Sequence, residues 1–280
     1  MPTFPTPEPI TLRLKVSSGD VRINAAARTE TEVEVRPSNP SSAADVETAQ
    51  HTVVEHRDGV VVIEAPDERG FGRKGSIDVR VDLPEGSAVR GSVASADFGA
   101  DGRLGAVEVN SASGDVRIDQ AGDLTIQTAS GDVFCRQSDG DAKVQTASGD
   151  LRIATVAGRA QVSTASGDAS VDEVGGDLRL QAASGDLQVG AVAGSVEAKT
   201  ASGDVRIGSV RQGEVSADAA SGDIQVGIAA GTAAWLDLSS LSGDVNSALD
   251  QADDPGDSEL TVSVRARTLS GDISIVRAAR

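Results

Sequence analysis

Carboxylates at a regular spacing are the residues of this sequence with the clearest chemical potential. The triplet Ser-Gly-Asp occurs ten times, and between Gly114 and Gly222 successive copies are 17 to 19 residues apart. Carboxylates stacked in a column could supply the roughly six to eight oxygen ligands that Ca²⁺ takes. Calcium-binding nonapeptide solenoids, however, use Gly-Gly-x-Gly-x-Asp, which this sequence lacks. We therefore predict that these aspartates form corners and that calcium is not a partner.

The chemistry of the triplet suits a tight corner. Glycine adopts positive φ without steric penalty, and Ser and Asp side chains accept hydrogen bonds from amides in a bend. The residues predicted to form structural corner turns are Gly114, Asp115, Gly131, Asp132, Gly149, Asp150, Gly167, Asp168, Gly185, Asp186, Gly203, Asp204, Gly222 and Asp223.

Other residues with catalytic or metal-binding potential are few. Cys135, the single cysteine, falls on a repeat position that holds apolar residues in other copies, and we interpret it as a core residue. His51 and His56 have no further Cys or His to complete a zinc site, and a Ser-His-Asp site would need one of them beside a serine. The sequence predicts no catalytic residue, no cofactor and no metal site.

Two aromatic residues break the repeat. In Val133-Phe-Cys135 and Ala234-Trp-Leu-Asp-Leu238 the apolar residues alternate, which turns Phe134 and Trp235 outward. Outward aromatic side chains can anchor a protein interface, so these two are the candidate interaction residues. For Trp235 the alternative is that an acidic loop at 249–259 folds over its ring.

Short strands must position these residues. A weaker glycine-centred turn falls near the middle of each interval, which gives a unit of about nine residues. That length fits roughly five or six extended residues and one bend. Segments such as Val116-Arg-Ile118 and Leu124-Thr-Ile126 alternate apolar and polar residues, as strands with one buried face do. We predict an all-β fold, a β-solenoid of about 18-residue coils with two short strands per coil.

Composition and the pattern of predicted strands divide the chain into three parts. The proline-rich residues 1–9 are expected to form a flexible N-terminal tail. Residues 10–94 contain longer, antiparallel-like strands, expected to form a β cap over the open end of the stack. Residues 95–280 are expected to form the coils, with a loop insertion at 249–259 and a last Ser-Gly-Asp strand that closes the chain.

Composition limits the classes of function. The 25 Lys and Arg against 43 Asp and Glu give a net charge of −18, and with only four Phe, one Trp and no Tyr the chain is poorly suited to nucleic acid. No apolar run approaches the roughly 20 residues that span a bilayer. The first residues lack the basic and apolar regions of a secretory signal, so a cytoplasmic location is expected. A single cysteine agrees with that compartment.

The repeated Ser-Gly-Asp-Val-Arg-Ile unit, the leading Val-Ser-Ser-Gly-Asp-Val-Arg-Ile23 strand and the segment Ile77-Asp-Val-Arg-Val-Asp-Leu-Pro-Glu-Gly-Ser-Ala-Val89 carry a family resemblance. Together they resemble the DUF4097 family, also called Toastrack or "putative adhesin", over nearly the whole chain from about residue 10. The sequence is most similar to free-standing actinobacterial members. The resemblance implies a right-handed β-solenoid-like fold and a link of some members to envelope stress, and it transfers no catalytic residue.

These observations favour a non-enzymatic β-solenoid scaffold or interaction module that binds a protein partner or itself. Every repeated feature is explained by folding, and none requires a reaction. The first alternative is an adhesin-like surface protein, which would need export. The second is a β-helix enzyme acting on polysaccharide, which would need a cleft with convergent acids or bases.

Overall fold

The computed structural model describes residues 1–66, 75–249 and 260–278, and most of them are in β-strands. They form two compact units, Met1–Asp139 and Gly140–Arg280. In both units parallel strands stack in the manner of a solenoid, so the predicted all-β solenoid class is confirmed.

Where the structure describes it, the first unit combines strands of very different length with one short helix. Its elements are β1 (Thr3–Pro5), β2 (Thr11–Ala26), β3 (Glu30–Pro37), α1 (Ala43–His51), β4 (Val53–Arg57), β5 (Val60–Glu64), β6 (Ile77–Pro84), β7 (Ala88–Arg103), β8 (Val107–Ser113), β9 (Val116–Ala121), β10 (Leu124–Ser130) and β11 (Val133–Ser138).

Coil stacking in the first unit begins earlier in the chain than residue 95. The 16-residue β2 and β7 pair in parallel along almost their full length, which places Asp20 of the first Ser-Gly-Asp beside Asp97. The two halves of β7 then pair with β8 and β9. β2 is therefore itself a layer of the stack, because it repeats the alternation and the corner of the later coils.

The other edge of β2 carries the strands that the sequence suggests for a cap. β5 and β6 pair in parallel with its two halves, and β4 and β3 then add antiparallel to β5 and β6. The cap therefore consists of the strands added to this edge of β2, and its first strands are β5 on one half of β2 and β6 on the other.

The first residues differ from the flexible tail expected at 1–9. Thr3–Pro5 forms β1, which pairs antiparallel with β3. The buried hydroxyl of Thr6 bonds that of Thr31 at 2.8 Å, and the Phe4 ring lies 5.4 Å from that of His56. Proline lacks an amide donor but is compatible with an edge strand, so the proline content did not exclude this pairing.

The helix α1 was also not predicted from the sequence. Its N-cap is Ser42, whose hydroxyl lies 2.9 Å from the Asp45 carboxylate and 3.4 Å from the Asp45 amide. None of its side chains is buried, so the apolar pattern gives no helical signal. Across the described residues, no helix is long and apolar enough to span a bilayer.

The described residues of the second unit form β-strands and no helix. They are β12 (Ala142–Ser148), β13 (Leu151–Val156), β14 (Ala160–Ser166), β15 (Ala169–Val174), β16 (Leu178–Ser184), β17 (Leu187–Val192), β18 (Val196–Ser202), β19 (Val205–Val210), β20 (Gly213–Ser221), β21 (Ile224–Ile228), β22 (Thr232–Ser242), β23 (Val245–Ser247), β24 (Leu260–Ser270) and β25 (Ile273–Arg277).

Each strand of the second unit pairs with the strand one coil away. β14 pairs in parallel with β16, and Ala160 lies beside Leu178, 18 residues on. β15 pairs with β17 in the same register interval. Val162 and Val171, one inward side chain from each row, are 1% and 0% exposed. A core of stacked small and branched side chains accounts for the scarcity of aromatic residues.

The last coil does not follow the order of the sequence. β24 pairs with both β20 and β22, and β25 pairs with both β21 and β23. The final two strands thus lie inside the stack, and the earlier β22 and β23 form its outermost layer. The sequence does not predict this order, because the spacing of the repeats carries no information on which layer lies outermost. Of the loop predicted at 249–259, residues 250–259 lie outside the described residues.

Candidate interaction surfaces

The structure places every predicted Gly-Asp corner between the end of one strand and the start of the next. The aspartates form a ladder, since the carboxylate of one coil accepts the backbone amide of the aspartate in the next. Asp168 Oδ1 accepts from the Asp186 amide at 2.8 Å, and the Asp168 amide donates to Asp150 Oδ1 at 3.0 Å. The further amide-to-carboxylate bonds of this kind are Asp115 to Asp97, Asp132 to Asp115, Asp204 to Asp186, Asp223 to Asp204, Asp272 to Asp223 and Asp244 to Asp272.

The corner glycines are required by close approach of the preceding coil. Gly167 has φ of +116°, and a Cβ atom there would lie 2.3 Å from the Gly149 carbonyl oxygen. No side chain fits at that distance. The corners therefore stack glycine on glycine as well as aspartate on aspartate.

Buried threonines complete the corners. The hydroxyl of Thr164 donates to the carbonyl of Ser166 at 3.1 Å, just before the turn, and Thr146 and Thr200 make the same bond in their coils. On the opposite side of the coil, Asp141 and Asp177 accept amides of the following coil at 2.8 and 3.0 Å. The repeated polar residues thus satisfy backbone groups that the bends would otherwise leave unpaired.

Outward arginines form ion pairs with some of the corner aspartates. Arg206 contacts Asp204 at 2.6 Å, and Arg117 contacts Asp115 at 3.2 Å. These pairs are exposed, so each contributes only about 0–1 kcal/mol to stability. Within the part of the chain that the structure describes, no group of three or more His, Cys, Asp or Glu side chains is arranged to hold a metal ion.

Cys135 lies in the core of the first unit. It is 0% exposed and stands beside Ile118 in the register of β9 and β11. Burial raises the pKa of its thiol to about 11. A thiol of that kind stays protonated near neutral pH and is a poor nucleophile.

Phe134 lies on the outer face of the first unit, where it is 40% exposed. It belongs to an outward row that crosses four strands in register: Arg22, Gly99, Arg117 and Phe134. A Cβ atom on Gly99 would meet only the Val21 carbonyl oxygen at 3.9 Å, so the row is open at that point. The result is a groove of about 440 Å³, which we call the Phe134 groove.

The Phe134 groove has an acidic lining. Aspartates flank the row on both sides, and the two arginines lie between them. The lining carboxylates are those of Asp20, Asp97, Asp101, Asp115 and Asp119. Arg22 donates twice to Asp20, at 3.0 and 3.1 Å, so its charge is directed toward its own strand. The groove therefore presents an aromatic ring within a field of net negative charge.

Trp235 lies on β22, the outermost strand of the second unit, and is 65% exposed. The alternation assigns its neighbours Leu236 and Leu238 to the core, yet Leu236 is 37% exposed because no coil in the described residues covers it. Of the loop at 249–259 that is the alternative cover for Trp235, residues 250–259 lie outside the described residues. An interface role for Trp235 and for Phe134 stays a prediction.

Comparison with known proteins identifies the family of this chain. The family model described as Toastrack DUF4097 matches residues 9–276. The chain belongs to the Toastrack DUF4097 family. The resemblance carried by the Ser-Gly-Asp repeats and by Ile77–Val89 is thereby confirmed. No curated protein matches the sequence.

Several crystal structures align with the Toastrack chain over nearly its full length. A "putative adhesin" from Bacteroides fragilis covers 98% of this chain and 95% of its own, at 10% identity and a TM-score of 0.43. One from Parabacteroides merdae covers 99% and 96%, at 11% identity and a TM-score of 0.39. A "putative lipid binding protein" from Parabacteroides distasonis covers 99% and 96%, at 13% identity and a TM-score of 0.38.

Two features of the Toastrack chain escaped the sequence reasoning. The Phe134 groove depends on which strands become neighbours, since Gly99 and Phe134 are distant in sequence. The second feature is a pair of exposed leucines, and the sequence does indicate it. The position before Ser-Gly-Asp holds Ala147, Ala165 and Ala201 in the regular coils, but Leu241 and Leu269 in the last two triplets. Both leucines are exposed, at 82% and 59%, and both lie in the two outermost layers.

Proposed function

We propose that this Toastrack chain is a non-enzymatic scaffold that binds a protein partner at the Phe134 groove. The observation that carries the proposal is the placement of Phe134, a non-repeating aromatic residue that is 40% exposed at an open groove. Aromatic side chains in such positions contribute a large share of binding energy at protein interfaces.

The corner ladder supports the non-enzymatic part of the proposal. The carboxylates that recur most regularly accept backbone amides of the next coil, at 2.8 to 3.1 Å. Their spacing thus has a structural cause. A catalytic role for them would require a second use of groups that already stabilise the bends.

The charge of the groove indicates the character of the partner. Five aspartates and two arginines line it, so a segment with lysine or arginine around an apolar anchor would be complementary. Association of this kind is expected to weaken as salt screens the charges.

Affinity capture from the native organism tests this proposal. The wild-type chain should retain a partner at low salt, and Phe134→Ala should lose at least about 10-fold of it, the loss expected for a residue worth about 1.4 kcal/mol. Val53→Ala serves as the matched control, because it removes an exposed apolar side chain of the first unit that does not line the groove. Equal capture by wild type and Phe134→Ala, or hydrolysis of a polysaccharide panel by the wild type, would reject the proposal.

We further propose that the protein acts in the cytoplasm. Its one cysteine is buried and pairs with no second cysteine, so folding requires no oxidising compartment. Fractionation with protease treatment of intact cells tests the location. Loss of the protein from protease-treated intact cells would favour the adhesin-like alternative instead.

A further inference from the structure

The outermost layer of the second unit is a free sheet edge. Among the described residues, the 11-residue β22 pairs only with β24, and β23 pairs only with β25. A strand edge with unpaired amides and carbonyls is a template for pairing with another chain. Natural edge strands are protected by proline, lysine or inward charge, and β22 contains none of these.

The edge is also where the apolar core of the second unit opens. Leu236 is 37% exposed, whereas its register neighbour Val264 is 0% exposed. Val245 is 44% exposed beside the fully buried Ile273. A further layer placed on this edge would bury both side chains, as every inner layer does.

Exposed apolar side chains are concentrated in the same two layers. Of the eight large hydrophobic residues exposed in the described residues, five lie on β22, β23 or β24. Leu241 and Leu269 are neighbours in register and replace the alanine of the regular coils. Contiguous exposed apolar surface of this kind marks an interaction site.

We propose that β22 pairs antiparallel with β22 of a second copy of this chain, to form a symmetric dimer. This proposal deepens the scaffold function proposed above and rests on it. A two-fold interface uses the same patch on both copies, and an identical strand matches β22 in length and polarity.

Charge permits this contact in a chain whose net charge is −18. The one charged residue of β22 is Asp237, and it is paired with Arg265 at 3.2 Å and with Arg267 at 3.5 Å. Two copies can therefore approach at this edge without facing unpaired carboxylates on the pairing strands. An outer strand of the first unit is different, because β1 contains Pro5 and lies between Pro2 and Pro7.

The size of the end face suits a reversible dimer. The 11-residue β22 gives about 36 Å of edge, and the 3-residue β23 gives about 10 Å in the second row, each row being about 10 Å wide. Each copy would then bury about 460 Å², which lies at the low end of specific interfaces, where association is weak and reversible.

Sedimentation equilibrium of the full chain over a dilution series tests the dimer. The wild type is expected to dimerise reversibly, and Leu236→Lys, which introduces the edge-protecting charge, is expected to be monomeric. The double variant L241A/L269A restores the residue of the regular coils and so preserves folding; its Kd should rise at least about 10-fold. Val53→Lys changes an exposed residue of β4 in the first unit and should leave the dimer intact.

A wild type that is monomeric at its highest soluble concentration would overturn the dimer, as would a Leu236→Lys variant that dimerises like the wild type. An open-ended series of oligomers, or loss of association in Val53→Lys alone, would also overturn it. Partner capture at the Phe134 groove is measured separately. If the wild type dimerises but captures no partner, the scaffold proposal is rejected. If the wild type is monomeric but captures its partner normally, only the dimer is rejected.

Discussion

At the scale of single residues, the recurring polar groups are explained by contacts between coils. Asp168 both accepts an amide from the coil after it and donates its own amide to the coil before it. Thr164 satisfies the carbonyl just before the same corner. The Ser-Gly-Asp triplet thus recurs because each coil needs the same hydrogen bonds at the same bend.

Gly167→Ala is expected to destabilise the chain by about 2–4 kcal/mol, because the new Cβ would lie 2.3 Å from the Gly149 carbonyl and φ is +116°. Gly59→Ala is the control: its φ is +74°, but no atom lies within 4 Å of the added Cβ. It should cost only about 1–2 kcal/mol. Urea unfolding of both variants measures the difference, and equal losses would show that coil approach is not the cause.

The ion pair between Asp119 and Arg136 makes part of the stability depend on pH. Arg136 Nε donates to Asp119 Oδ1 at 2.5 Å, and this bond holds the pKa of Asp119 below its usual value. The unfolded chain therefore binds the proton more readily than the folded chain. The stabilisation is present above the unfolded pKa of about 3.9 and is lost as pH falls through the folded pKa.

Thermal melts between about pH 5 and pH 3 should show this loss in the wild type and a smaller loss in Asp119→Asn. Arg136→Gln should behave like Asp119→Asn, because it removes the donor that lowers the pKa. Parallel pH profiles for all three proteins would contradict the assignment.

At the scale of elements, the period of the strands could be predicted from the sequence, and their neighbours only in part. Alternation such as Val205-Arg-Ile207 assigns each side chain to the inner or outer face of its strand. The repeat interval of 18 residues predicts the strand that pairs with it, so that Val205 lies beside Leu187. The insertion of β24 and β25 as the penultimate layer was not predictable, because β22 and β24 offer almost the same pattern to β20. Likewise α1 buries no side chain, and only the Ser42 cap could have indicated it.

Truncation of the chain after residue 259 tests the layer order. It removes β24 and β25, which are the only partners of β22 and β23 among the described residues. Hydrogen exchange should then show loss of protection in β22 and β23, and at the newly exposed edge of β20 and β21, whereas β14 to β17 stay protected. If β20 and β21 stay protected, β22 and β23 cover them directly and the layer order described here is wrong.

At the scale of the whole molecule, the fold class, the family and the outward aromatic residues follow from the sequence, and the candidate site follows only in part. Phe134 could be found because it breaks a repeat, but the groove beside it requires the register that brings Gly99 into the same row. Leu241 and Leu269 are a weak sequence signal of the proposed dimer edge. They indicate an edge only once the structure places β22 and β24 in the two outermost layers. Both surfaces are therefore departures from the repeat.

The central claim is that the repeated residues build the fold and the exceptional residues bind. Quantitative partner capture by wild type, Asp168→Asn and Phe134→Ala tests it most directly, with all three proteins held below their melting temperatures. Asn keeps the Oδ1 acceptor of the corner, so Asp168→Asn should bind like the wild type, while Phe134→Ala should retain at most about a tenth of the partner. A folded Asp168→Asn that loses the partner, with Phe134→Ala unaffected, would contradict the account.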